Sequence, residues 1–167
     1  MKIPRLAFVL FWLLPMAAYA VNEDNEGSVL SLDANTGAYR FTWNGTTGRT
    51  YFILYSETLM SWAYLPIIEQ GAGETLAYGL TVSSGTNKFF LRLRYTDQPA
   101  TDPYTADFDS DGIPNGWELE NGLNPFDSAD ASNVSGGLTY LQIYQQSLGG
   151  SGDPTGANAA GMVVFSP

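Results

Sequence analysis

Asp107-Phe108-Asp109-Ser110-Asp111-Gly112-Ile113-Pro114-Asn115-Gly116-Trp117-Glu118 is the stretch on which the reading of this chain turns. Carboxylates stand at positions 1, 3 and 5 of these twelve residues, glycine at 6, an amide oxygen at 9 and Glu118 at 12. A calcium ion takes about six to eight oxygens, and one short segment supplies that many only by curling around the ion. Asp107, Asp109 and Asp111 alternate inward, and Gly112 permits the sharp bend that follows them. The main-chain carbonyl of Ile113 would serve at position 7, Asn115 directly or through a water, and Glu118 with both oxygens from the first turn of a helix. Five residue types are fixed by the pattern. At roughly one in fifteen each, a chance match in about 150 windows is of order 10⁻⁴. Asp and Gly also favour ordinary turns, but three carboxylates within five residues repel one another unless a cation lies between them. The expected cofactor is Ca2+, with metal ligands Asp107, Asp109, Asp111, Ile113, Asn115 and Glu118.

Immediately upstream, Pro99 and Pro103 rule out an incoming helix, so residues 97–106 read as a linker. Further back, short apolar or alternating runs recur between turn signals: Val29–Leu32, Ala38–Trp43, Tyr51–Ser56, Trp62–Ile68, Thr75–Val82 and Lys88–Tyr95. That spacing predicts an antiparallel β-sandwich over residues 28–96. In the last run Phe89, Leu91, Leu93 and Tyr95 share one face and Phe90, Arg92 and Arg94 the other; the first set is expected in the core. Trp43 and Trp62 have two readings, as core aromatics or as platforms for sugar rings.

Residues 1–20 combine Lys2 and Arg5, an apolar run from Leu6 to Ala18, and Ala18-Tyr19-Ala20, the layout of a signal peptide cleaved after Ala20. The expected location is secreted, periplasmic or cell-surface, with no membrane insertion after cleavage. Residues 21–27 read as a flexible N-terminus. Loss of Lys2 and Arg5 leaves five bases against 17 acids, a net of −12, which argues against nucleic acid and anionic membranes as partners. The chain has neither cysteine nor histidine. An exported chain without disulfides needs another staple, and a bound metal can provide it. The absent residues also exclude Ser-His and Cys-His catalysis.

Downstream of the loop, a short helix is expected from Pro114 to Asn121, stopped at Asn121-Gly122, with Trp117 and Leu123 packed inward. A second helix is expected from Leu138 to Leu148, its apolar face formed by Leu138, Leu141, Tyr144 or Gln145, and Leu148. Residues 151–167 read as a flexible tail in which Met162–Pro167 either adds a strand to a sandwich edge, in cis or on a neighbour, or stays disordered.

The words D-F-D-S-D-G-I-P-N-G-W-E-L-E-N-G-L-N-P-F-D from Asp107 and G-L-T-Y-L-Q-I-Y from Gly137 resemble bacterial thrombospondin type 3 repeats over residues 107–150. The pattern F-T-W, G-R-T-Y-F-I-L-Y-S, L-x-S-W and K-F-F-L-R-L-R resembles the immunoglobulin- or fibronectin-like modules of exported bacterial proteins. With no incoming helix before the loop, the site reads as half of an EF-hand, a loop followed by a helix. The first resemblance implies a second acidic loop before G-L-T-Y-L-Q. Here Ser132, Val134, Gly136 and Ile143 fall at its ligand positions and none is a carboxylate, so one full site is expected. Asp127 or Asp130 could still reach the first ion. Pro114 departs from an EF-hand pair, which places a β-bridging aliphatic there.

The fold expected is mainly β, a small antiparallel β-sandwich followed by a short calcium-loop and helix segment. The function expected is an exported, calcium-binding, non-catalytic structural, adhesion or extracellular-matrix protein. Its partners would be calcium and a cell-surface protein, a polysaccharide or another copy of itself. The alternative is a carbohydrate-binding accessory module that uses exposed aromatics of the sandwich.

Overall fold

Strands form where the sequence alternates, and they pair through the tight turns between them. The structure is a computed structural model that describes residues 21–23, 27–33, 35, 37–81 and 88–149. The expected signal peptide and the tail 151–167, with its Met162–Pro167 run, lie outside the described residues. Seven strands make the body: β1 (Val21–Glu23), β2 (Val29–Leu32), β3 (Tyr39–Gly45), β4 (Thr50–Ser56), β5 (Ala63–Gln70), β6 (Glu74–Leu80) and β7 (Phe90–Thr96). They form two antiparallel sheets, ordered β1-β7-β4-β5 and β2-β3-β6. The chain is mainly β and the two sheets make a small sandwich, as the spacing of the runs predicts.

The sheets face each other across Phe41 and Trp43 of β3, Tyr51 and Ile53 of β4, and Leu93 of β7. Leu91 and Tyr95 pack against this cluster. Trp43 is 1% exposed, with ring centroids 5.6 Å from Phe41 and 6.1 Å from Tyr51, so it fills the core and offers no surface platform. Inside, the Tyr51 hydroxyl donates to the Asn44 carbonyl at 3.1 Å and accepts from the Thr46 N–H at 2.9 Å, which satisfies its polar end.

Two segments expected to be loose make regular backbone contacts among their described residues. Val21–Glu23 is no frayed end. As β1 it pairs with Thr96, Tyr95 and Arg94 and so occupies the open edge of β7, whose backbone groups need partners. Residues 97–106 form a strap instead of a free linker. Gln70 donates from Nε2 to the Ala100 carbonyl at 2.9 Å, and the Tyr104 hydroxyl accepts from the Ile68 N–H at 3.0 Å. Pro66 sits where the β4–β5 register shifts, a position at which proline's missing donor leaves no gap in the ladder.

Beyond the strap, α1 (Asn115–Glu120) is a six-residue helix with Pro114 before its first turn. It ends in a Schellman motif: Leu123 N–H reaches the Glu118 carbonyl at 2.8 Å and Gly122 N–H reaches that of Leu119 at 3.3 Å. Gly122, at φ +72°, supplies the left-handed residue this stop requires. A 3-10 turn at Asp130–Ser132 follows, then the hairpin β8 (Val134–Ser135) and β9 (Leu138–Thr139), then α2 (Tyr140–Gly149). The segment whose ligand positions lack carboxylates is thus built as a two-residue-strand hairpin, closed by Gly136 and Gly137. Helix α2 starts two residues later than expected because Leu138 and Thr139 pair in that hairpin. Leu148 is exposed, and the inward face consists of Tyr140, Leu141 and Tyr144. Among the described residues no helix is long and apolar enough to cross a membrane.

Phe52 and Ile68 on the outer face of the four-stranded sheet join Phe108 and Leu119 in a second core, with Phe126 against it. Phe126 stacks 5.8 Å from Phe108 and meets Phe52 edge-on at 5.0 Å. The acidic loop and α1 therefore form a third layer on the sandwich. This arrangement buries every residue of β4 except Tyr55, which is half-buried.

Candidate metal centre

The loop at Asp107–Glu118 is folded around its own acids. Asp107 Oδ1 accepts from Ser110 N–H at 2.7 Å and its Oδ2 from Gly112 N–H at 2.9 Å, while Asp111 Oδ1 accepts from Ile113 N–H at 2.7 Å. These short contacts hold left-handed backbone at Ser110 (φ +63°) and Gly112 (φ +93°). Ser110 adopts that conformation against its intrinsic preference, which costs about 1 kcal/mol. Each carboxylate oxygen that accepts one N–H keeps a second lone pair facing elsewhere.

The remaining oxygens converge. Ligand atoms of Asp107, Asp109 and Asp111 lie within 4.8 Å of one another, and so do those of Asp111, Glu118 and Asp130. Among the described residues, seven buried side-chain polar atoms meet no hydrogen-bond donor or acceptor. Six of these are carboxylate oxygens: both of Asp109, both of Glu118, and one each of Asp111 and Asp130. Glu118 has a relative exposure of 0%. An ionised carboxylate stranded this way carries a large desolvation penalty. Burial, and then the charges of Asp109, Asp111, Asp130 and Asp107, pushes the Glu118 carboxyl up to about 9. Burial, and then Asp111 and Asp107, lifts Asp109 to about 7. Asp111 and Asp130 are raised as well, chiefly by burial. Backbone N–H groups at Asp111, Ile113 and Asn124 relieve part of this charge at Asp109, Asp111 and Asp130, and a hard cation taking oxygen ligands would relieve the rest. The donor set, carboxylate oxygens with no softer atom among them, is one that suits a hard divalent cation.

Of the expected ligands, Asp107, Asp109, Asp111 and Glu118 are brought together, and Ile113 is fully buried beneath the loop. Asn115 has a different place. Its Oδ1 accepts from Phe108 N–H at 3.0 Å and its Nδ2 donates to the Pro103 carbonyl at 2.8 Å, so the amide ties the loop's start to the strap. Asp130, a residue the loop spacing could not specify, joins the cluster from the 3-10 turn. Its Oδ2 accepts from Asn124 N–H at 2.8 Å, which leaves Oδ1 for the centre. Asp127 instead accepts from Ala129 N–H at 3.2 Å in a local turn. The signal for Asp130 lay in sequence as an acid shortly after the Asn124-Pro125 turn, but only the chain reversal at that turn brings it back.

Neither a family model, nor a curated protein, nor a solved structure matches the chain.

Proposed function

We propose that this is an exported, non-catalytic calcium-binding protein in which the ion fastens a short helical segment onto a β-sandwich, serving a structural or adhesive role outside the cytoplasm. The observation that carries the reading is the set of six buried carboxylate oxygens without a hydrogen-bond partner, spread over two acid triads that share Asp111. Asp107, Asp109, Asp111, Glu118 and Asp130 would hold calcium together with the Ile113 carbonyl, and Asn115 would position the loop. The ion supplies charge compensation, and its binding free energy becomes folding free energy for the segment around it. Export rests on the layout of residues 1–20, and the likeness to thrombospondin type 3 repeats on the two stretches that begin at Asp107 and Gly137. The ion accounts for the acid cluster at residues 107–118, and with no histidine or cysteine in the chain Ser-His and Cys-His catalysis is excluded.

Isothermal titration of the chelator-treated protein with calcium tests this. The affinity expected is that of extracellular modules, about 10⁻⁴–10⁻³ M or somewhat tighter. No heat at millimolar calcium would overturn the reading.

A further inference from the structure

A cleft of about 380 Å³ opens between the outer face of the four-stranded sheet and the turn after α1. One wall carries Trp62, Tyr64, Arg92 and Arg94; the opposite wall carries Leu123 and Asp130. The Arg92 guanidinium lies 4.2 Å from the centroid of the Trp62 ring, and Arg94 Nη1 donates to the Tyr64 hydroxyl at 2.9 Å. Trp62 is itself held by a bond from Nε1 to the Leu59 carbonyl at 3.2 Å. Both cations are therefore set in place by aromatic neighbours, in a chain whose net charge is −10. Such preorganised guanidinium forks match carboxylates, and a cleft of this volume accommodates a sugar unit or two.

We propose that this cleft binds a carboxylate-bearing saccharide, and that calcium at the neighbouring loop strengthens that binding. The coupling rests on the calcium reading above and runs through Asp130. This residue lines the cleft, presents Oδ1 to the acid cluster and fixes Asn124, another cleft residue, through Oδ2. With the ion held, the charge of Asp130 is engaged and the Asn124 wall is fixed. Without it, a concentration of unneutralised carboxylates borders a site built for an anion. Linkage requires that the saccharide tighten calcium by the same factor.

The test is titration of the full chain with a uronic-acid trisaccharide, too short to gel with calcium, beside a neutral trisaccharide of equal length and an acidic peptide. Binding of the uronate is expected in calcium and should weaken about tenfold on chelation, within the usual range of coupling between sites. R92Q and R94Q should each weaken it about tenfold while leaving the calcium titration intact, whereas R40Q, on β3 away from the cleft, should not. If an arginine variant fails to fold, competition on the wild-type protein decides. The neutral sugar must fail to displace the uronate. Equal binding of the neutral sugar, preference for the peptide, or indifference to calcium overturns the proposal. Absence of any calcium heat in the same wild-type sample marks the failure of the calcium reading instead.

Discussion

Glu118 and Asn115 are three residues apart and fully buried, yet their environments ask opposite things of them. Both oxygens of Glu118 lack donors, whereas both polar atoms of Asn115 are bonded. Glu118→Gln keeps the shape and removes a charged bidentate ligand. It should weaken calcium by roughly 100-fold, about 2.7 kcal/mol, as a calcium titration would show. The same variant should be no less stable than wild type when both are metal-free at alkaline pH, because it removes a charge that nothing compensates. The sign follows from the raised carboxyls. Glu118 moves to about 9 and Asp109 to about 7, so the metal-free folded state holds protons that the unfolded chain has released. Their contribution to stability is complete below the ordinary carboxylate range and is lost as pH rises toward 9. Chemical denaturation of the chelated protein should therefore show stability falling from pH 5 to 9, and saturating calcium should flatten the trend. Calcium uptake near neutral pH should release protons, so the apparent enthalpy must differ between buffers of different ionisation heat. Asn115→Ala leaves Phe108 N–H and the Pro103 carbonyl unpaired, which should cost roughly 1–3 kcal/mol by denaturant melting even without calcium. The type and spacing of the acids were legible in sequence. The main-chain bonds of Asn115 were not, because an amide at that position suits an ion or a backbone equally well and those bonds depend on the ordered strap.

At the scale of elements, six residues cannot sustain a helix, since nucleation is unfavourable and isolated helices of this length do not persist in water. Helix α1 exists because Leu119 is buried in the second core and the Schellman turn closes its end. Helix α2 is stabilised differently. Thr139 Oγ1 accepts from Gln142 N–H at 3.2 Å while Gln142 Oε1 accepts from Thr139 N–H at 2.9 Å, a reciprocal capping box. Tyr140 and Tyr144 then meet the ring of Trp117 edge-on at 6.4 and 5.5 Å. Thr139→Ala should cost about 1 kcal/mol and loosen those tyrosines from Trp117. A changed near-ultraviolet dichroism at unchanged strand content would show it. The positions of β2 to β7 were readable to within about two residues because alternation and turn residues act locally, whereas β1, β8 and β9 were too short to show a pattern. The third layer was not foreseen, although Thr50-Tyr51-Phe52-Ile53-Leu54 carried its signal. An unbroken apolar run has no solvent face, so both sides of β4 had to be covered. What covers the second side is a contact between distant residues, Phe52 and Phe108, and no local pattern specifies it.

Across the whole molecule, the question is whether loop and sandwich come apart separately. The sequence suggested that they would, since no sandwich residue is a ligand and residues 97–106 looked like a spacer. Packing argues otherwise. Phe108 occupies the second position of the acidic loop and is 8% exposed, in one cluster with Phe52, Ile68 and Leu119. The Tyr104 hydroxyl and the Ala100 carbonyl bind β5 directly. Releasing the loop would expose Phe52 and Ile68 on the central sheet, so loss of the ion should be felt by the strands. Calcium at 100 times its dissociation constant stabilises by roughly 2.7 kcal/mol, which for a domain of this size corresponds to about 10 °C. Calorimetry is expected to show one transition that moves down by about that amount on chelation. Phe108→Ala should lower the same transition by a further 3–5 kcal/mol, roughly the cost of emptying a buried aromatic site. Two transitions, with only the first sensitive to chelator and to Phe108→Ala, would mean that the sandwich stands without its third layer and that β4 tolerates a bare apolar face.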